Sequence, residues 1–237
     1  VINFLEMDTN YEIIFLSNEW IINSVFTLLF MVLFLLLGKY SGKEQRVQIA
    51  YVFVYIFIGV YVIYHIMHYL DGTWSLSKRL PLHLCGISSV LVCVIMFLKK
   101  RQLAFEFLFY CGILGGINSL LTPLIDNYTG GNFFYIEYYY SHSSIIIFPL
   151  YLFYYMDMKL SKYSWLKTFL ILNILLVIIM PLDFLLGANY MYLVDPPAVN
   201  HPLVSGEWPY YLINFEFFVF LLLYFTYSLF KVSFLKN

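Results

Sequence analysis

The sequence predicts an all-α, polytopic membrane protein of seven transmembrane helices, on three observations: its composition, the length of its apolar blocks, and the alternation of its positive charges. Of 237 residues, 62% are hydrophobic and 11% charged, whereas a soluble domain carries about a quarter charged residues. A water-facing surface cannot be built from that composition. The apolar residues form blocks of about 17–23, the length a helix needs to cross ~30 Å of hydrocarbon. Lipid offers backbone groups no partner, so only helices or closed barrels span it. Ile21–Leu37 and Leu170–Met180 lack the apolar/polar alternation of a barrel strand.

The first span is Trp20–Leu37. The residues before it include Glu6, Asp8, Glu12 and Glu19 but no Lys or Arg, so they lack the basic start of a signal peptide and the span is expected to be retained. Lys39, Lys43 and Arg46 lead into the second span, Val47–His68. The third, Leu82–Leu98, is followed by Lys99, Lys100 and Arg101. The fourth, Leu103–Ile125, carries Gly112 and Gly116, a small-xxx-small pair that permits close approach of a neighbouring helix. The fifth is Tyr138–Met156, with Lys159, Lys162 and Lys167 beyond it, and the sixth is Trp165–Leu186. After the longest connection comes the seventh, Pro209–Phe230, followed by Lys231 and Lys236. Pro123, Pro149 and Pro181 are expected to end or kink their helices.

Residues 1–237 thus read as one helical-bundle domain. Eleven of the 13 Lys and Arg fall in alternate loops, with only Lys78 and Arg79 on the other side. Positive loops stay in the cytoplasm, which predicts an N-terminus outside and a C-terminus inside. No basic run points to nucleic acid, and Cys85, Cys93 and Cys111 lack the spacing of a disulfide framework.

With that orientation, most polar groups within the spans fall in their outer halves. His65 and His68 end span two, His83 and Cys85 open span three, and Asn118 and Asp126 close span four. Glu137 and His142 open span five, Asp183 and Asn189 close span six, and Glu216 lies about two turns into span seven. Ionisable groups are costly against lipid, so these are expected to line one outward-facing cavity. His142 reads either as a packing residue or as a general base. Cys85 reads either as an inert small hydrophobe or as a nucleophile, if a histidine lies within reach to activate it. His65 and His68, three apart, could join His83 and Cys85 around a metal, but that spacing arises often by chance, and neither metal nor cofactor is assigned. Glu106 is expected to snorkel or to pair within Lys99–Arg101.

Three stretches carry a family resemblance: Leu80-Pro81-Leu82-His83-Leu84-Cys85; Glu137-Tyr138-Tyr139-Tyr140-Ser141-His142 with Pro149 and Tyr151 downstream; and Gly187-Ala188-Asn189-Tyr190-Met191-Tyr192-Leu193 with Pro197 and Gly206-Glu207-Trp208-Pro209. The chain resembles the bacterial YwaF-type integral membrane proteins, which are distantly similar to the eukaryotic transmembrane protein 164 family. That resemblance implies thiol-based acyl chemistry on membrane phospholipid, and more remotely the androgen-induced hydrolases of fatty-acid esters. His83 and His142 match family histidines. The family's nucleophilic cysteine falls on Leu82, with Cys85 three positions on. Phe15-Leu16-Ser17-Asn18-Glu19 lacks the histidine that often follows this stretch in YwaF-type proteins.

The reading is therefore a lipid acyltransferase or lipid-ester hydrolase of the bacterial plasma membrane. Its catalytic candidates are His142 as general base and, as nucleophile, Cys85 or a water activated by His83. Asn118, Asp183, Asn189, Tyr190 and Glu216 are the substrate-binding candidates, with Asn118 and Asn189 as oxyanion donors. The alternative is a transporter or ligand-binding protein in which Asp183, Glu216 and His142 bind cargo or protons. A scaffold whose polar groups only join helices is the third reading. Oligomeric state is left open.

Overall fold

The computed structural model describes residues 10–126, 128, 131–196 and 207–232. Glu6, Asp8, Pro197, Gly206 and Lys236, named above, lie outside them. Seven helices follow one another: α1 Asn18–Tyr40, α2 Lys43–Leu70, α3 Leu84–Phe97, α4 Gln102–Leu121, α5 Asn132–Tyr155, α6 Ser164–Leu186 and α7 Tyr210–Val232. Five of them, α1, α2, α4, α6 and α7, are long and apolar enough to cross a membrane.

The other two depart from a simple span for physical reasons. Helix α3 joins an α-helical stretch, Leu84–Val94, to a short 3-10 turn, Ile95–Phe97. At about 1.5 Å per residue it rises roughly 21 Å, short of a ~30 Å hydrocarbon core. Helix α5 is long enough but rich in Tyr, Ser and His. It packs against α1, α2, α3 and α4, so much of its surface meets protein and Ser143–Pro149 are all buried, while Ile136 and Tyr154 stay exposed.

Local chemistry sets the helix ends. The Ser17 hydroxyl accepts from Trp20 N at 3.2 Å, capping α1. In the two-residue link to α2, Gly42 N donates to Gln45 Oε1 at 2.9 Å and Arg46 Nε donates to Gly38 O at 2.9 Å. Helix α4 contains a buried π-helical turn at Leu108–Gly112 and stops at Leu121, before the predicted Ile125. The cause is Pro123, which disfavours helical geometry at Thr122. Leu124–Ile125 instead pair antiparallel with Tyr11–Glu12. Helix α5 begins at Asn132, ahead of the predicted Tyr138, and continues through Pro149.

Hydrogen bonds between distant segments fix which helix ends meet. Trp20 Nε1 donates to Leu120 O at 3.0 Å, the Arg79 guanidinium lies 3.7 Å from the Asp126 carboxylate, and the Tyr190 hydroxyl donates to Leu76 O at 2.8 Å. The starts of α1, α3, α5 and α7 therefore share one end of the bundle, here termed the entry end. At the opposite end Gln102 Nε2 donates to Lys159 O at 2.7 Å and the Tyr151 hydroxyl to Arg46 O at 3.0 Å. There too lies Glu106, which is buried and does not snorkel. It accepts from Gln102 and from Ser161 N, and its ion-pair partner is Lys167 at 3.7 Å rather than Lys99–Arg101.

The main core joins α2, α3, α4 and α5 through Phe53, Phe57, Val92, Phe105, Phe109 and Phe148, with Phe53 and Phe148 stacked at 4.9 Å. A second core holds α6, the 190–193 turn and the start of α7 together through Ile179, Tyr190, Leu193 and Tyr211. Apolar side chains of α1, α2, α6 and α7 project outward as a belt, the arrangement of a multi-pass membrane protein.

Candidate active site

The site is built on the face of α4 that carries Gly112, Gly115, Gly116 and Ser119. A Cβ on Gly112 would stand 2.5 Å from Ile145 O, and one on Gly116 2.9 Å from His142 O. Only glycine lets α5 approach this closely, the role expected of this pair. A Cβ on Gly115 would lie 3.3 Å from Cys85 Sγ, so the same face receives α3.

Cys85 sits in the first turn of α3, two residues beyond His83, which occupies the N-cap position. Gly86 packs so tightly on Pro81 that a Cβ there would meet Pro81 Cα at 2.9 Å. That turn aims Cys85 at α4, where its Sγ shares a hydrogen bond with Ser119 Oγ at 3.5 Å. The Tyr138 hydroxyl donates to Ser119 O at 2.9 Å, and the Tyr138 ring lies against the His142 ring at 4.3 Å. Cys85 and His142 are thus connected through Ser119 and Tyr138.

The two histidines are held in opposite tautomers. His142 Nδ1 lies 2.7 Å from Tyr138 O. A carbonyl only accepts, so Nδ1 carries the proton and neutral His142 presents Nε2 as a lone pair. His83 Nδ1 accepts from Met191 N at 3.2 Å, so neutral His83 presents Nε2–H as a donor.

The 187–195 turn that supplies Met191 N is itself fixed by Asp183 and Asn189. Asp183 Oδ1 accepts from Tyr190 N at 2.9 Å, and Oδ2, also buried, has no hydrogen-bond partner among the described residues. Asn189 Oδ1 accepts from Val194 N and Asp195 N, and its amide donates to Asp195 O. Both side chains are committed to the turn, which draws the Asn189 amide away from the oxyanion role expected of it. Tyr190 is fully buried, donates to Leu76 O and accepts from Leu80 N at 3.0 Å. Burial pushes its hydroxyl above the ordinary phenol range, keeping it neutral for both bonds. Asp183, Asn189 and Tyr190 therefore position the loop that orients His83.

Asn118 is exposed on α4, one residue and about 100° around the helix from Ser119. Its assigned place is taken by Ser119, which continues the small-residue face three positions after Gly116. Glu216 accepts from Asn173 Nδ2 at 3.1 Å between α6 and α7, away from the Cys85–His142 group. His65 and His68 anchor the α2–α3 loop. Trp74 Nε1 donates to His65 Nδ1 at 3.1 Å, and His68 Nδ1 bonds Thr73 Oγ1 at 2.7 Å while its ring stacks on Phe134. Among the described residues no group of His, Cys, Asp and Glu is placed to hold a metal. Arg79, which in the sequence counts only as a charge, is buried beneath this loop with its guanidinium donating to the Tyr64 hydroxyl at 3.0 Å and to Asp126 O.

Comparison with known proteins adds one finding. The family model described as TMEM164 family matches residues 15–227, almost the whole chain. No curated protein and no solved structure matches it significantly.

Proposed function

Because this chain belongs to the TMEM164 family, we propose that it is a membrane-embedded lipid acyltransferase or lipid-ester hydrolase in which Cys85 attacks, His142 is the base and His83 stabilises the oxyanion. The observation that carries this reading is the pair of opposite tautomers, His83 two residues before Cys85 and His142 linked to it through Ser119 and Tyr138: one ring nitrogen able to take a proton, another able to give a hydrogen bond. In the first step Cys85 Sγ adds to the lipid ester carbonyl as its proton passes to His142 Nε2, through Ser119 or directly. The carbon–oxygen ester bond then breaks, a thioester forms on Cys85, and the proton returns from His142 to the departing lipid alkoxide. A hydroxyl of a second lipid, or water, attacks the thioester by the same relay and restores the thiol.

The entry end faces outside the cell in this proposal, since ten of the twelve Lys and Arg among the described residues lie toward the opposite end and positive loops stay cytoplasmic. The bacterial YwaF-type relation and a bacterial plasma membrane belong to the same proposal. The test is mass spectrometry of the protein in phospholipid vesicles. A hydroxylamine-labile acyl adduct on the Cys85 peptide, absent in Cys85→Ala, is expected. An unmodified thiol during turnover, with Cys85→Ala still active, overturns the cysteine nucleophile.

A second reading, proton-coupled uptake, draws on the Glu216–Asn173 pair, an ionisable group inside a helix pair. Loss of uptake in Glu216→Gln with lipid products unchanged supports it.

A further inference from the structure

On the α1 side of α5, away from the Cys85 face, a cavity of about 300 Å³ opens between α1 and α5. This is the lower end of ligand-pocket volumes. Its floor is made of two small buried residues, Thr27 and Ser143. Ser143 Oγ donates to Tyr140 O in its own helix, so its proton is already committed. The lower end is closed by Phe30 and Tyr140, whose rings lie 5.9 Å apart. The rims, Phe26 and Ile136, are 68% and 65% exposed and belong to the outward apolar belt.

The upper end is polar in a specific way. Asn23 Nδ2 donates to the hydroxyls of Tyr135 and Tyr139, and the Tyr135 hydroxyl donates to Glu19 Oε1 at 2.7 Å. The Tyr139 hydroxyl accepts from Asn23, and its own proton remains available beside the cavity. From Asn23 to Phe30, two turns of α1, is about 10 Å.

We propose that this groove binds one diacyl lipid of the bilayer, an acyl chain lying over Thr27 and Ser143 and its ester carbonyl accepting from the Tyr139 hydroxyl. A donor above a narrow floor of small residues walled by Phe26, Phe30 and Ile136 matches an ester above a hydrocarbon chain. A helix of a second copy has its backbone carbonyls already satisfied and brings no acceptor to Tyr139. A water-soluble ligand would have to enter through hydrocarbon. The proposal does not depend on acyl transfer, because the groove and the Cys85–His142 group lie on different sides of α5.

The test is photolabelling in phosphatidylethanolamine–phosphatidylglycerol vesicles containing a phosphatidylglycerol with a diazirine in one acyl chain. Adducts are expected to concentrate on peptides covering residues 23–30 and 135–143, above those of α6 and α7. Thr27→Phe and Ser143→Leu, which fill the floor, remove that excess. Tyr139→Phe lowers it about fivefold, the worth of one net hydrogen bond, for the ester lipid but not for the dialkyl ether analogue. Tyr139→Phe leaves packing intact and so keeps the test decisive where a filled floor prevents folding. Even labelling of every outward helix, equal labelling by ester and ether lipids in wild type and Tyr139→Phe, or a cross-linked dimer without lipid adducts overturns the proposal. None of these readouts requires turnover at Cys85.

Discussion

His83 and His142 meet opposite backbone groups: Met191 N donates to His83 Nδ1 at 3.2 Å, whereas His142 Nδ1 donates to Tyr138 O at 2.7 Å. A backbone donor therefore makes one histidine a hydrogen-bond donor at Nε2, and a backbone acceptor makes the other a base. The assignment follows from which backbone group each ring meets.

This bears directly on substitution at position 142. His142→Asn keeps a donor near Tyr138 O but removes the Nε2 position, so acyl release in vesicles is expected to fall about 10²–10⁴-fold, the range for losing a general base. The melting temperature should stay near that of the wild type. Activity retained in His142→Asn would reassign this ring to packing.

Asp183 is a positioning residue, and its variants should split. Asp183→Asn retains an oxygen for Tyr190 N, at 2.9 Å in the native protein, and should keep the 187–195 turn closed. Asp183→Ala leaves a buried N–H unpaired, a loss of about 1–3 kcal/mol. Faster proteolysis at that turn together with lowered activity is expected in Ala alone. Equal behaviour of the two variants would detach the turn from the carboxylate.

Glycine substitutions test the close approach of α4 and α5. A Cβ at Gly112 would press on the Ile145 backbone oxygen, which cannot yield as a side chain does. Gly112→Ala should destabilise by about 1–3 kcal/mol. A Cβ at Gly59 of α2 meets nothing within 4 Å. Gly59→Ala should therefore be neutral or stabilise by up to about 1 kcal/mol. Thermal unfolding in detergent distinguishes them.

At the opposite end, Glu106→Ala strands Ser161 N and leaves Gln102 Nε2 with Lys159 O alone, both groups being bonded to Glu106 Oε1 in the native protein. A destabilisation of about 2–4 kcal/mol is expected, compounded from two lost bonds to a charged group. Glu106→Gln should recover part of it by keeping one acceptor oxygen. Acyl release measured below the unfolding temperature should be unaffected, because the network lies at the far end from Cys85.

An all-helical membrane protein was legible in the chain, since apolar blocks of spanning length have few other solutions in hydrocarbon. The residues that share the entry end were legible too, because alternate short loops reverse the chain. Pro123 is expected from the sequence to end or kink its helix, yet the predicted span runs past it to Ile125, whereas α4 stops at Leu121. Glycine spacing already indicated that α4 touches a neighbour.

Which polar residues meet depends instead on how the helices rotate and pack. Asn118 and Ser119 are adjacent in the chain, but about 100° of helix rotation separates them; one is exposed and the other reaches Cys85. His65, His68, His83 and His142 are chemically identical, yet Thr73 and Trp74 occupy the first pair and backbone groups orient the second. Likewise α5, read from the sequence as the fifth span from Tyr138 to Met156, packs against α1, α2, α3 and α4 and carries the polar residues that those contacts bury. Composition and period report how each helix meets lipid; helix rotation and loop contacts, set by packing between segments far apart in the chain, decide which side chains form the site.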